Sequence, residues 1–452
     1  LLDYNLNMFF RAMTCFLAAL SLANAGGVYW TDRGASQLKR MSFNGSNVQT
    51  IALSGAVTSP GSNIRGIAFD GMSNRIFWAD NGADRLLRAN SDGSASAVLY
   101  TIAGGGSFPA DVRLDLGNQL FYWCDQQRNR IQRSTLDGAS VVDVITNAAA
   151  AGGPYFMDLD VPAGKIYWGD FSGGSIFRAN LDGSARETLL TGNNMTRGVR
   201  LDPRERMLYW INRDDKKVHR CPLSAFEGGV IPLTHPAVQT LYTNLDTPHG
   251  LALDIPARKL YWADTGTNPG NGVGGQAVSR GDFDGSTPLE VLATGTEPWD
   301  VDIDPRCTTY VEWAARCFRR DALPEQIDPN ADPDGDGIPN AVEYALDLAP
   351  MHADKTELPT SFIAAGPVSN ADYHAINYRR RTSTSDLQYD VQVSTNLTDW
   401  VSSATNSVTV EIQVAPLGNG MESATARTLY TVSGYPAHFM RVRITGLVPV
   451  PR

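Results

Sequence analysis

Cysteine is scarce in this sequence, five residues in 452, and Cys15 lies in an apolar stretch near the start. The remaining four, Cys124, Cys221, Cys307 and Cys317, are too few for a disulfide scaffold. Two readings stay open: Cys307 paired with Cys317, or four separate buried thiols. Positive charge is also short, with 38 Lys and Arg against 48 Asp and Glu and a formal net charge of −10. A nucleic-acid surface needs clustered Lys and Arg. The one dense basic run is Arg379-Arg380-Arg381, expected to face solvent on a strand edge, so nucleic acid is excluded as a partner. Long apolar runs are missing beyond the first 25 residues, and no transmembrane segment is expected. There is no GxSxG elbow, no HExxH and no CxxC. Gly270-Asn271-Gly272-Val273-Gly274-Gly275 fits GxGxxG, but it opens no helix and belongs to no βαβ unit, which removes nucleotide binding.

Residues 8–25 read as a secretory signal peptide: Met8, a basic Arg11, an apolar run from Ala12 to Leu22 and a small-residue site at Ala23-Asn24-Ala25. Residues 1–7 lie upstream of Met8, the expected start. The chain is then exported, and is expected to be secreted or held at the cell surface or in the periplasm.

What the sequence has in abundance is one tetrapeptide. Tyr29-Trp30-Thr31-Asp32 returns as Phe77-Trp78-Ala79-Asp80, Tyr122-Trp123-Cys124-Asp125, Tyr167-Trp168-Gly169-Asp170, Tyr209-Trp210-Ile211-Asn212 and Tyr261-Trp262-Ala263-Asp264, at steps of 48, 45, 45, 42 and 52 residues. Such steps suit one four-stranded β unit each. Every unit has a short apolar strand, the aromatic strand, and a third strand ending in Arg (Arg40, Arg88, Arg133, Arg178, Arg220, Arg280). A tight turn such as Asn44-Gly45 or Asp92-Gly93 then leads to a fourth strand. Only the fifth unit, at Ala225-Phe226-Glu227-Gly228-Gly229, has lost that turn. The first unit lacks its first strand, which reappears at Trp299-Asp300-Val301-Asp302-Ile303-Asp304. The expected fold is therefore mainly β: a six-bladed β-propeller over residues 26–306, closed by a strand from its far end.

The tetrapeptide, the Arg and the Asp-Gly-Ser turn resemble the YWTD propellers of the low-density lipoprotein receptor family over about residues 27–306. The resemblance implies that Asp32, Asp80, Asp125, Asp170, Asn212 and Asp264 bond backbone or an Arg of the adjoining blade. The other reading, a ring of carboxylates lining a metal-binding axis, is kept beside it. It also implies a protein ligand on the face that collects the blade-joining loops. That face should hold Arg65, Phe108, Tyr155, Phe171, Arg197, His249 and Trp299, together with Arg33, Gln126, Arg128 and the long loop Thr265 to Gln276. Aromatics and Arg on loops over a rigid ring suit protein or glycan recognition. The bland alternative is that the aromatics plug the central channel. His249, alone among the scattered histidines, stands at a blade entrance, where it either acts as a base or hydrogen-bonds a loop.

After Asp304 the composition changes. Tyr310, Trp313, Ala314 and Phe318 recur at helical spacing, which predicts a short amphipathic helix packing beside the ring. Residues 307–350 form a helical linker with an EF-hand-like loop, Asp332 to Glu343. Oxygen donors fall at Asp332, Asp334, Asp336, Asn340 and Glu343, Ile338 offers a carbonyl, and Gly337 sits at the sharp turn. This spacing wraps six or more oxygens around Ca²⁺, the one cofactor expected, in a structural role. With no second helix-loop-helix, the loop resembles those of thrombospondin type 3 repeats and dockerins; an acidic solvated linker is the alternative. A helix from Asn340 to about Leu348 should follow. Residues 358–450 alternate apolar and polar in at least five short runs, which predicts a β-sandwich. Tyr389 to Trp400 with Phe439 to Arg443 resembles C-terminal modules of large exported bacterial proteins.

The function expected from all this is a secreted, non-enzymatic binding or adhesion protein. Two rivals remain: a propeller hydrolase or lyase with a metal in the central channel, which would call for Glu and Asn donors where the innermost strands offer mainly Asp111, Asp158 and Asp300, and a structural component of the cell envelope.

Overall fold

The computed structural model describes residues 26–148, 152–266, 276–353, 355, 357–366, 371–382, 386–417, 420–434 and 439–446. Residues 8–25, expected to be a signal peptide, and most of the loop after Thr265 lie outside the described residues. The chain divides into two compact units, Gly27–Asp304 and one that begins at Pro305.

The first unit is six antiparallel sheets, each with one tetrapeptide strand second from the inside. The tetrapeptide strand Gly27–Asp32 pairs outward with Gln37–Met41 and inward with Pro298–Asp304, with Trp30 opposite Val301 and Tyr29 opposite Asp302. The far end of the repeat region thus supplies the innermost strand of the first blade. In the fifth repeat, where the Asp-Gly turn is lost, the chain forms a 3₁₀ turn over Leu223–Phe226. It then lays the two-residue strand Ile231–Pro232 parallel to Glu187–Thr191 of the fourth blade, whose sheet gains a fifth strand.

Alternation along a strand sends the two aromatics of each tetrapeptide to opposite faces. All six Trp are at most 1% exposed. The first aromatic reaches the next blade: Tyr29 stacks on Phe69 at 5.1 Å, Phe77 meets Phe121 at 5.7 Å and Tyr209 meets Phe283 at 5.1 Å. Burying a ring against the neighbouring sheet makes each blade contact mainly apolar. The third-strand Arg crosses the same gap, with Arg220 donating to the Phe283 carbonyl at 2.9 Å and Arg280 to that of Phe43 at 3.2 Å. The tetrapeptide Asp does not cross it. Asp264 accepts from the backbone N–H of Asp246, Thr247 and Gly266, Asp125 accepts from Phe108 N–H, and Asp32 is paired with Lys39 of its own blade. Asp264, Asp125 and Asp32, the last of which also accepts from Thr296 and Glu297, thus fasten the loop that enters their own blade.

In the second unit, helix Tyr310–Cys317 is capped by Thr309 and packs Tyr310 and Trp313 on Tyr344, at ring separations of 5.6 and 5.9 Å. Helix Asn340–Leu346 ends in a left-handed residue, Asp347 at φ 58°. Two sheets follow. One orders Thr360–Ala365, Asp372–Arg381, Met421–Thr431 and Thr409–Pro416; the other holds Val401–Ser402, Gln388–Ser394 and Phe439–Thr445. They share a core of Ile376, Tyr378, Ala424 and Ala426 against Val391, Tyr389, Met440 and Val442.

One expectation needs correction here. Arg379 and Arg381 do not face solvent: they lie on an interior strand, 7% and 5% exposed. Arg381 bonds Asp347 at 3.0 Å, and Arg316 bonds the same carboxylate at 2.8 Å. A buried Asp tolerates its burial because two guanidinium groups complete it, and they hold its carboxyl below the usual range despite desolvation. For the cysteines, where the Cys307–Cys317 pair and separate thiols are both open from the sequence, no disulfide is made among the described residues. Cys307 is a buried free thiol whose S–H reaches the Pro305 carbonyl at 3.7 Å, and Cys124 and Cys221 are likewise buried thiols.

Candidate functional site

The six innermost strands have seven residues each, and their pairing with the tetrapeptide strand breaks at a bulge beside the second residue. A bulge re-aims a side chain. The second residues are Arg65, Ala110, Tyr155, Arg197, His249 and Trp299. With Phe108 and Phe171 from neighbouring segments they form one contiguous cluster, so all seven residues picked from the sequence meet. The Arg65 guanidinium lies 3.8 Å from the Trp299 ring and 5.0 Å from Phe108. Arg197 lies 4.2 Å from Tyr155 and 4.5 Å from Phe171. His249 packs on Trp299 at 4.0 Å, and Tyr155 joins Phe108 to Phe171 at 6.0 and 4.8 Å. Arg33 also lies over the Trp299 ring, at 4.4 Å, and pairs with Glu297.

Much of this cluster is buried: Arg65 is 5% exposed and Arg197 2%. Among the described residues no carboxylate forms an ion pair with either. Arg65 Nε and Nη1, Arg197 Nε and Trp299 Nε1 are all buried without a hydrogen-bond partner. Burial pulls both guanidinium groups down, each to about 10. His249 is held well below its ordinary value, first by burial and then by Arg197, so its ring is neutral. Its Nδ1 lies 3.0 Å from the Thr247 carbonyl, which makes it the loop-bonding histidine of the two readings. Other residues expected on this face are spent on loops: Arg128 donates to the carbonyls of Ala103 and Gly105 at 2.6 and 2.8 Å, and Gln126 to that of Gly152.

Below this layer the inner strands carry a second and a third ring of charge. The third residues include Asp111 and Asp300, and the fifth residues are Ala68, Arg113, Asp158, Arg200, Ala252 and Asp302. Each Asp accepts a backbone N–H of the next blade: Asp300 from Ile67, Asp302 from Phe69, Asp111 from Met157 and Asp158 from Leu201, at 2.7 to 3.1 Å. Arg113 and Arg200 each lie within 4.0 Å of both Asp111 and Asp300. Desolvation still pushes Asp111 and Asp158 up to about 6. The carboxylates that a channel hydrolase would use are committed to joining blades. Arg113, Arg200 and Asp302 were not singled out from the sequence, although recurrence at the fifth place of a seven-residue strand marks them.

In the second unit, one carboxylate oxygen each of Asp332, Asp334 and Asp336 lies within 4.8 Å of the others. Gly335 and Gly337 turn the chain at φ 73° and 88°, and Ile338 packs its side chain on Leu346 and Leu348. Asn340 and Glu343 follow on the helix, both buried. Burial, then the three Asp carboxylates, push Glu343 up to about 8.

Residues 164–203 match the family model for the low-density lipoprotein receptor repeat class B. Nidogen-2 of Mus musculus is 38% identical over 74 residues, covering 16% of this chain and 5% of that protein. Protein cueball of Drosophila willistoni is 29% identical over 134 residues, 29% of this chain and 18% of the relative. Low-density lipoprotein receptor-related protein 5 of Mus musculus is 32% identical over 77 residues, 17% of this chain and 4% of the relative. The chain thus spans less than a fifth of the length of these relatives. Among solved structures, that of a nidogen/laminin complex superposes with a TM-score of 0.51 at 19% identity, covering 62% of this chain and 98% of that one; the likeness is one of fold.

Proposed function

We propose that this chain, in which residues 164–203 match the low-density lipoprotein receptor repeat class B, is an exported binding protein that seats an acidic side chain of a protein partner between Arg65 and Arg197. One observation carries the reading: four buried N–H donors in one cluster lack partners. Buried donors are costly to leave unpaired, and a carboxylate accepts several at once. Phe108 and Phe171, half-buried beside them, give the partner an apolar rim. Nidogen, whose structure is known in a complex with laminin, supports protein as the class of ligand. The hydrolase reading is disfavoured because Asp111, Asp158 and Asp300 already serve the joints between blades. On this reading the molecule is secreted or held at the cell surface or in the periplasm.

The test is a screen of extracellular-protein and glycan arrays with the wild-type chain, Arg65→Met and Arg197→Met. Protein binders should lose about tenfold or more in affinity with either variant, as expected for a buried charged contact. They should lose as much when the partner's Asp or Glu is changed to its amide. Binding that is indifferent to both arginines, or confined to glycans, would overturn the proposal.

A further inference from the structure

We propose that the loop from Asp332 to Glu343 is a calcium site whose ion fastens the helices of the second unit to its sheets. The clustered carboxylates of Asp332, Asp334 and Asp336 are not enough for this, since acidic turns are common. The independent observation concerns two side chains on the following helix. Asn340 and Glu343 are 0% and 2% exposed, and Asn340 Oδ1 and Glu343 Oε2 have no hydrogen-bond partner. The Asn340 amide is oriented without ambiguity. Its Nδ2 donates to the carbonyls of Gln326 and Asp328 at 2.8 and 2.9 Å, which turns Oδ1 the opposite way. Asp334 Oδ2 and Asp336 Oδ2 are also buried and unpartnered.

Every unpartnered side-chain atom of this loop, among the described residues, is an acceptor. Four buried acceptors without a donor are completed by a cation and by nothing a protein side chain of like charge can offer. The donor set decides which cation. It is oxygen throughout, from carboxylates, an amide and the backbone carbonyl of Ile338 expected from the loop spacing, with neither sulfur nor imidazole, which selects a hard ion. Six or more oxygens on a turn of consecutive residues suit the larger, more tolerant Ca²⁺ rather than Mg²⁺, which keeps much of its water.

The ion would act at a distance because of what the helix carries. Asn340 N–H donates to the Ala331 carbonyl at 2.8 Å, closing the base of the loop. One residue after Glu343, the Tyr344 hydroxyl donates to Asp386 at 2.8 Å and its carbonyl accepts from Arg381 at 2.6 Å. The Tyr389 hydroxyl donates to the Ala345 carbonyl at 2.7 Å. Fixing Glu343 therefore fixes the helix on which both sheets hang.

The experiment uses the full chain, with calcium titrated by calorimetry, terbium luminescence excited through tyrosine and tryptophan, and scanning calorimetry with calcium or with chelator. One ion per chain should bind, with a dissociation constant of ~10⁻⁴ to 10⁻³ M. Calcium should raise the melting transition of the second unit and leave that of the propeller unchanged. Asp332→Asn, at an exposed position that tolerates change, should weaken binding by about tenfold, while Asp321→Asn outside the loop should not. Glu343→Gln should do the same, with circular dichroism checking that it folds. Absence of saturable binding, equal binding by Asp332→Asn and the wild type, preference for magnesium, or a calcium shift of the propeller transition in place of the other would each overturn the proposal.

Discussion

His219 shows how one side chain sets a pH response. It stacks on Trp210 at 5.6 Å and 27°, and at the equivalent place one blade earlier Phe177 stacks on Trp168 at 5.5 Å and 24°. Its Nε2 is buried without a partner, and burial lowers its pKa to about 4. A histidine depressed in the folded state contributes fully above its free value near 6.5, and that contribution is lost as pH falls from there toward 4. The loss runs at up to about 1.4 kcal/mol per pH unit. His219→Phe keeps the stack and removes the titration. Its melting temperature should therefore gain on the wild type steadily between about pH 7 and 4. Parallel melting curves across that range would show that the ring is not held neutral.

At the scale of the element, the innermost strands approach one another so closely that some positions admit no side chain. A Cβ on Gly250 would stand 2.5 Å from Asp300 Cα in the next blade, and one on Gly66 2.5 Å from Asp111 Cα. Gly250→Ala should cost about 1–3 kcal/mol in urea unfolding. Gly228→Ala, with nothing within 4 Å of its Cβ, should cost almost nothing. The same strands show how far the chain could be read beforehand. Period-two alternation, the recurring aromatic pair and Asp-Gly turns are local signals, and they made the blades and the closing strand legible. The site cluster followed because equivalent places in successive repeats must form a ring. What local pattern could not show was the partner of a group. Arg379 and Arg381 look solvated until Asp347, some thirty residues earlier, is brought beneath them. The edge strand Thr360–Ala365 is exposed along almost its whole length, so no alternation announced it. The bulge that turns Arg65 and Trp299 into the cluster depends on pairing across strands, which a linear pattern does not encode.

For the whole molecule, the decisive element is the strand Pro298–Asp304, which adds a pairing partner to Gly27–Asp32 and two carboxylates, Asp300 and Asp302, that bond the second blade. A chain ending at Asp304 should keep a cooperative propeller melting transition. One ending before Pro298 should leave the first blade short of its inner strand, and should be recovered as aggregate or as protein without that transition. A soluble, cooperatively melting product from the shorter chain would show that five and a part blades suffice.

Closure by the distal strand also has a consequence for biosynthesis. The ribosome makes Gly27–Asp32 about 270 residues before it makes the strand that covers it, an interval of roughly tens of seconds at cellular elongation rates. Throughout that time the earliest blade offers an open, apolar edge to any nascent chain nearby. Either chaperones shield that edge, or passage out of the cytoplasm postpones folding until the whole polypeptide has been delivered.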